Sequence, residues 1–406
     1  MFSFLSRLAN RPTPRQVRTA ALLVAEPPAA DATRMCDRIL RAAVADHASD
    51  VHFEPKEDGL LVRFRLDGEM HDHAKLPLSE REPLLARVKI FGGMDITEKR
   101  LPQDGRARLT SGTSKIHVRL SSLPTVHGES LVLRLLDQAM PAKSFAELGF
   151  APEQAGALQG AITGPAGLIF LTGPNGSGKT TTLHSALHAL DTAGRVICTL
   201  EDPVEYEFEK IRQTEIREKI GLTFAAGLRA LLRQNPDVML VGETRDAETA
   251  QLAVRAALTG HLVFSTLHTN DALAAIPRLF DLGVEPFLLA ASLRLVAAQR
   301  LVRQLCPECK APHPENLRLT LESDCMGGQF MRPVGCAACR GRGYRGRFAL
   351  HEVIPTEKFL PLIAANAPMA ELHALRAREG YPTLRRLGLA MAALGATSPE
   401  EVLRVL

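Results

Sequence analysis

Eight consecutive residues, Gly173-Pro174-Asn175-Gly176-Ser177-Gly178-Lys179-Thr180, fill the pattern G-x-x-x-x-G-K-[ST]. Glycine at 173, 176 and 178 lets the backbone turn its N–H groups inward around phosphate oxygens. Lys179 adds positive charge for the β- and γ-phosphates, and the Thr180 hydroxyl is placed to ligate Mg²⁺. The loop runs through Thr181 and Thr182 into a helix whose N-terminal dipole also favours anions. The chemistry implied is binding of a nucleoside triphosphate such as ATP with its Mg²⁺.

Three further polar clusters each follow an apolar, strand-like run. Val196 to Leu200 leads into Glu201-Asp202-Pro203-Val204-Glu205, and Val238 to Val241 into Gly242-Glu243-Thr244-Arg245-Asp246. Leu262 to Thr266 leads into Leu267-His268-Thr269-Asn270-Asp271. In an open parallel sheet, ligands sit at the carboxyl ends of strands, so the clusters are expected to converge on one nucleotide. Phosphoryl transfer needs a metal-supporting acid and a group that orients the attacking water. Glu243 suits the second-strand acid, Glu201 is the other acidic candidate for positioning or activating water, and His268 could sense the γ-phosphate. A satisfied strand-end histidine is the plain alternative for His268.

The chain holds seven cysteines, four of them in two C-x-x-C pairs, Cys306/Cys309 and Cys336/Cys339. Two such pairs complete a tetrahedral thiolate shell, and a shell with no open position makes a structural zinc site. A thioredoxin-like redox role would account for one pair and leave the other unexplained. Cys36, Cys198 and Cys325 read as unpaired small residues, Cys325 lying between the two pairs.

These groups need a scaffold, and 406 residues suffice for two or three domains with substantial cores. A formal net charge of +4 does not demand a nucleic-acid or membrane partner. No apolar run reaches the roughly 20 residues of a bilayer span, and Arg7 and Arg11 interrupt any secretory signal, which points to the cytoplasm. Residues 1–30 read as a mobile tail. From Asp31 onward come a helix (Met35, Ile39, Leu40, Val44), strands around Val51 to Glu54 and Leu60 to Leu66, a helix from Leu84 to Phe91, and strands at Lys115 to Leu120 and Ser130 to Leu136. The stretch after Met140-Pro141 alternates strand and helix patterns, as a parallel sheet requires.

With these motifs in hand, the chain resembles the secretion ATPase superfamily, in particular the assembly motors of type II secretion and type IV pili. Glu201 to Glu205 is similar to that family's acidic box, Gly242-Glu243 with Arg245-Asp246 to its Walker B segment, and Gly260 to Asp271 to its histidine box. Gln299-Arg300-Leu301-Val302, the paired C-x-x-C motifs, Ala48 to His52 and Arg100 to Arg106 also match. The resemblance implies an α/β fold: a PAS-like α+β domain (31–137), a linker (138–150), a RecA-like P-loop ATPase core (151–300), a four-cysteine zinc module (301–347) and a C-terminal helical region (348–406).

The same resemblance implies a homohexamer hydrolysing ATP between subunits, with Arg106 and Arg119 as phosphate-contacting arginines and Arg100 as a third candidate. It implies docking to an inner-membrane platform protein, so that membrane association is indirect and no nucleic acid is bound directly. The zinc module favours an assembly motor over a retraction motor. Two departures stand out: only about 30 residues precede the matched region, and Asn235 and Thr244 stand where relatives often have Asp and Ile. Residues 2–5 and 20–25 are either part of an unstructured tail or a short partner-binding helix. Two other functions stay open on sequence grounds: a nucleic-acid-translocating ATPase whose basic zinc ribbon (Arg340 to Arg347) grips the strand, and a nucleotide-gated adaptor with little turnover.

Overall fold

The computed structural model describes residues 32–111, 114–137, 143–190, 194–314 and 329–406, in two compact units that meet in sequence near residue 141. The expectations for residues 2–5 and 20–25, the start of the linker and Cys325 lie outside the described residues.

The first unit begins with α1 (Ala32–Ala45), whose Met35, Ile39, Leu40 and Ala43 recur at helical spacing and are buried. Strands β1 (Asp50–Lys56), β2 (Gly59–Leu66) and β3 (Glu69–Pro77) follow, then α2 (Leu78–Phe91). That helix starts six residues earlier than its apolar pattern suggests (Leu78 against Leu84), because its first turn is polar and carries no burial signal. Strands β4 (Gln103–Ser111), β5 (Ser114–Thr125) and β6 (Gly128–Asp137) complete an antiparallel sheet in the order β3-β2-β1-β6-β5-β4. Alternation drives it: Val51, Phe53, Val62, Phe64, Val118, Leu131 and Leu133 face a core shared with Leu40, Leu84 and Val88 of the helices. Each such side chain contributes about 1.5–3 kcal/mol when fully buried.

The second unit is an α/β sheet. Its elements are α3 (Pro152–Thr163), β7 (Gly167–Thr172), α4 (Lys179–His188), β8 (Ile197–Glu201), β9 (Arg212–Glu215), α5 (Phe224–Leu231), β10 (Val238–Val241), α6 (Ala247–Leu258), β11 (Leu262–Leu267), α7 (Ala275–Asp281), α8 (Pro286–Ser292) and β12 (Leu293–Leu305). A small ribbon, β13 (Ala311–Pro312) and β14 (Met331–Arg332), precedes β15 (Tyr344–Pro355) and helices α9 (Leu360–Ala364), α10 (Met369–Arg378), α11 (Leu384–Ala393) and α12 (Pro399–Val405). The strand order is β15-β12-β7-β11-β10-β8-β9, parallel throughout except for β15.

The central strands β7, β8, β10 and β11 are buried along their whole length, as helices on both faces require. Along β7 the pleat divides its side chains: Leu168 and Phe170 join the cluster under α5 to α8, while Ile169 and Leu171 join the one under α3 and α4.

Two boundaries differ from the sequence expectation. Residues 348–355 are strand rather than helix: Phe348 to Ile354 pair with Val296 to Val302, extending the sheet past residue 300. The linker is also shorter than 138–150, because Phe145 and Phe150 are buried in the second unit. Among the described residues, no helix is long and apolar enough to cross a membrane.

Candidate active site

The phosphate loop links β7 to α4. Gly173 (φ +150°), Gly176 (φ +75°) and Gly178 (φ +88°) all take backbone angles that side chains disfavour. At Gly173 space forbids any larger residue as well, since a Cβ there would lie 2.5 Å from the Gln299 carbonyl oxygen and 2.7 Å from Ser177 Oγ. Among the described residues no side chain caps α4, which leaves its first N–H groups open for an anion. Ser177 Oγ is buried with no partner among the described residues, an orphan hydroxyl within the cradle. Lys179 Nζ donates to the carbonyls of Gly173 (2.7 Å) and Pro174 (3.1 Å), folding back across the loop. Burial brings its ammonium down to about 8, with Glu243 opposing the shift and Arg300 adding to it.

Beside the loop runs β12, which pairs with β7 as far as Thr172 and then continues to Leu305. That overrun places Gln299 against the phosphate loop. Its Nε2 donates to the Ser177 carbonyl (2.8 Å) and its Oε1 accepts from Thr182 Oγ1 (2.8 Å). Arg300, also buried, donates to the carbonyls of Gln299 (3.0 Å) and Asn270 (2.9 Å), joining β12 to the loop after β11. Thr172 makes a second stitch: Thr269 N donates to its Oγ1 at 2.7 Å.

The end of β8 supplies Glu201, which is 4 % exposed. Its Oε1 accepts from Thr199 Oγ1 (2.6 Å) and Gln213 Nε2 (2.9 Å), and its Oε2 lies 3.1 Å from His184 Nε2 on α4. Burial alone would lift its carboxyl, but the hydrogen bonds from His184, Thr199 and Gln213 outweigh that and hold it below the ordinary glutamate range.

From the end of β10, Glu243 reaches His268 Nε2 beyond β11 (3.3 Å) and Arg245 Nη2 (2.5 Å). Asp246 instead caps α6, accepting from Thr249 N (2.8 Å) and Thr249 Oγ1 (2.9 Å). The Thr244 departure is absorbed locally, its hydroxyl meeting Ser265 Oγ at 2.8 Å. The four strand ends therefore lie on one edge of the sheet, as the parallel registers demand. Glu243 and His268 touch each other, whereas Glu201 is tied to the phosphate-loop helix through a histidine.

The four paired cysteines come together. Their sulfurs all lie within 4.8 Å of one another, at 3.9 Å (Cys306–Cys336), 3.7 Å (Cys309–Cys339) and 3.8 Å (Cys336–Cys339). A tetrahedron with metal–sulfur bonds of about 2.3 Å has edges of about 3.8 Å, so the set can hold a metal ion. Backbone N–H groups of Gly335 (3.3 Å, to Cys309), Cys336 (3.2 Å, to Cys339) and Gly343 (3.1 Å, to Cys339) point at sulfur, as thiolates require. At Cys339, burial would raise the thiol, yet the Cys336 and Gly343 amides and the Cys309 and Cys336 sulfurs outweigh it and bring it to about 7. Burial instead pushes Cys306 up to about 12 and Cys309 upward. Gly335 allows the close turn, because a Cβ would meet the Gly341 carbonyl oxygen at 2.5 Å.

Residues 28–404 match the family model for "Type II/IV secretion system protein". The chain belongs to this family. A relative named type II secretion system protein E, from Klebsiella pneumoniae, is 46 % identical over 373 residues, 92 % of this chain and 75 % of the relative. The type IV pilus assembly ATPase PilB of Thermus thermophilus is 45 % identical over 378 residues, again 92 % of this chain but 42 % of PilB. Among solved structures, the pilus retraction motor PilT with bound ADP aligns at TM-score 0.60 and 26 % identity, over 90 % of this chain and 95 % of PilT. The Legionella pneumophila ATPase DotB shares the fold at TM-score 0.69 and 21 % identity, over 95 % of this chain and 99 % of DotB. This is a family of secretion and pilus ATPases, and the chain is an ATP-hydrolysing enzyme.

In this type II/IV secretion protein the three candidate arginines have different surroundings. Arg106 on β4 stands directly opposite Arg119 on β5, which in turn stands opposite Arg134 on β6. Directly paired residues share a face of the sheet, so the three form a row. The row is anchored by buried Asp50, 3.1 Å from Arg134 and 3.2 Å from Arg65. Arg100 is instead engaged with neighbouring Glu98, with its Nη2 at 2.8 Å and its Nε at 3.1 Å.

Sequence reasoning singled out Gln299 and Arg300 only as part of a matching segment, and overlooked Thr172, His184 and Gln213. The available signal was polar residues inside otherwise apolar strand or helix runs, such as Gln299-Arg300 within Leu293 to Leu305.

Proposed function

We propose that this secretion-family ATPase acts as a homohexameric motor that powers assembly of a type IV pilus or a type II secretion pseudopilus. The observation that carries the reading is the convergence of the phosphate loop, Glu201, Glu243 and His268 on one sheet edge, in a chain about 46 % identical to a type II secretion system protein E. The first unit is read as the PAS-like domain and the second as the RecA-like core of such a motor. Docking is assigned to an inner-membrane platform protein from the cytoplasmic side.

In this reading the N–H groups of Gly176 to Thr181 bind the β- and γ-phosphates, and Lys179 turns from the Gly173 and Pro174 carbonyls to the γ-phosphate. Thr180 and Glu243 offer the hard oxygen ligands that suit Mg²⁺, which would neutralise phosphate charge. Glu201, held ionised and oriented, is the carboxylate for the attacking water. His268 senses the γ-phosphate and passes its presence to Glu243 through their contact. Arg106 and Arg119 carry the positive row that meets nucleotide charge in an assembled ring. The four cysteines hold a structural zinc that closes the module before β15.

Two arginines of the zinc turn are engaged within the chain, while Arg340 and Arg347 are exposed. Arg342 Nε donates to the Cys339 carbonyl (3.0 Å) and Arg345 stands 3.9 Å from Glu308. The test is ATP turnover per subunit against protein concentration, with particle mass read in parallel and Lys179→Ala as control. Turnover rising with ring formation and lost in the variant is the expected result. Glu243→Gln should bind nucleotide normally and lose at least about 10²-fold in kcat. Rapid hydrolysis by that variant would remove Glu243 from its role. Stimulation by nucleic acid would favour the translocase instead.

A further inference from the structure

The donor that Glu201 receives at Oε2 comes from the phosphate-loop helix itself. His184 lies on α4, is 5 % exposed, and sets Nε2 3.1 Å from Glu201 Oε2. Its other ring nitrogen, Nδ1, is buried with no hydrogen-bond partner among the described residues. A hydrogen on Nδ1 would be a buried, unsatisfied N–H, whereas the tautomer with its hydrogen on Nε2 leaves only a lone pair there. The proton therefore sits on Nε2, and Nε2 donates to the carboxylate. The rings of Tyr206 and Phe208 stand edge-on to the imidazole at 5.6 and 5.1 Å and hold its plane.

Gln213 closes the other side. While donating to Glu201 Oε1, its Nε2 also donates to the Tyr206 carbonyl (2.8 Å), and its Oε1 accepts from Phe208 N (2.8 Å). The segment that carries both aromatic rings is thus tied to the same carboxylate. An ionised carboxylate offers about four lone-pair directions. Thr199 and Gln213 occupy both on Oε1 and His184 takes one on Oε2, so that among the described residues a single Oε2 direction is left for another donor.

We propose that His184 is a positioning residue for ATP hydrolysis: through Nε2–H···Oε2 it orients the Glu201 carboxylate so that its remaining lone pair serves the attacking water. Because the donor and the phosphate loop share one helix, the orientation of the carboxylate follows the state of the loop. The inference rests on the reading of Glu201 as the water-orienting carboxylate. A purely structural histidine would matter for packing alone.

The groups facing Glu201 decide what a pH profile reads. His184 from α4 is titratable, Thr199 on β8 and Gln213 on β9 are neutral, and Glu215 stands opposite Glu201 in the β8–β9 pairing. Removing one donor from an ionised carboxylate raises the pH at which it protonates. The acidic limb of kcat should therefore move to higher pH when His184 loses its N–H.

The experiment compares full-length protein carrying His184→Gln, His184→Asn or His184→Ala with the parent, measuring kcat, KM, nucleotide affinity, melting temperature and the pH profile of kcat. Glutamine places an amide nitrogen near the position of imidazole Nε2, while asparagine falls short of Glu201. The expected result is near-parental kcat for His184→Gln, with a loss of about tenfold to a hundredfold for His184→Asn and His184→Ala. In those two the acidic limb should move to higher pH, and nucleotide affinity should stay within about threefold of the parent.

Equal losses in all three variants would overturn the proposal, as would a loss confined to KM with an unmoved pH limb. A drop in melting temperature that accounts for the loss in His184→Ala leaves the glutamine–asparagine contrast to decide. Glu201→Gln is run alongside: parental turnover there would remove Glu201 from catalysis, which is a failure of the underlying reading and not of the His184 contact.

Discussion

Gln299 and Thr182 are 117 positions apart in sequence, yet Thr182 Oγ1 donates to Gln299 Oε1 at 2.8 Å inside the second unit. Through this bond and its partner to the Ser177 carbonyl, β12, distant in sequence but paired beside β7, holds the phosphate loop. Replacing Gln299 with leucine would leave both groups buried and unpaired. The expected cost is about 2–4 kcal/mol of stability, with nucleotide affinity weaker by about tenfold. Thermal melting and a nucleotide titration of Gln299→Leu check this; unchanged affinity would show that the loop holds its shape alone.

Lys179 supplies a pH test of nucleotide binding. In the free site its ammonium is brought to about 8, chiefly by burial. Phosphate charge favours the protonated form, so the bound state keeps the proton to higher pH. Affinity should be level below pH 8 and fall as pH rises above it, with proton uptake on binding. Calorimetric titration in buffers of different ionisation enthalpy reads that uptake directly. Affinity that stays flat to pH 9.5 would mean that Lys179 is already charged throughout.

Glu352 carries a stability signature. It is fully buried on β15, where Arg376 Nη1 meets Oε1 at 3.2 Å while Oε2 has no partner among the described residues. Burial, with Asp271 adding, raises its carboxyl from 4.5 to about 6. The folded pKa is above the unfolded one, so the contribution is fully present below about 4.5 and lost as pH rises through about 6. Glu352→Gln, which cannot ionise, should gain stability relative to the parent above pH 6, by an amount of order 2 kcal/mol. Denaturant unfolding of both proteins at pH 5 and pH 8 checks the sign; a variant less stable at pH 8 would contradict it.

The sulfur tetrahedron predicts one zinc per chain by elemental analysis. Cys336→Ser should lose that metal and lower the melting temperature by more than about 5 °C. The effect should reach the packing beyond the cluster, where Arg303 lies over the Tyr344 ring at 4.1 Å and Tyr344 Oη meets Ser398 Oγ at 2.7 Å. Purified protein with four reduced thiols, no zinc and unaltered melting would rule the site out.

Local chemistry was legible from residue order alone. The phosphate loop needs glycine backbone angles and a lysine within eight residues, and each C-x-x-C pair spans a single turn, so spacing carries the whole signal. The apolar runs of β7, β10 and β11 likewise mark buried parallel strands, and with them the sheet edge where Glu201, Glu243 and His268 emerge. Residues 348–355 misled because His351 and Glu352 interrupt the apolar residues of Phe348 to Ile354, whose strand character comes from pairing with distant β12.

What only the tertiary structure decided is which polar groups meet. Gln299 reaches the phosphate loop because β12 overruns β7, and His184 reaches Glu201 because α4 shares a buried cluster with Ile197 at the start of β8. Arg106, Arg119 and Arg134 form a row because antiparallel registers place them opposite one another. Hydrogen bonds of about 3 Å between segments many residues apart depend on strand register and helix placement, and no local spacing encodes either.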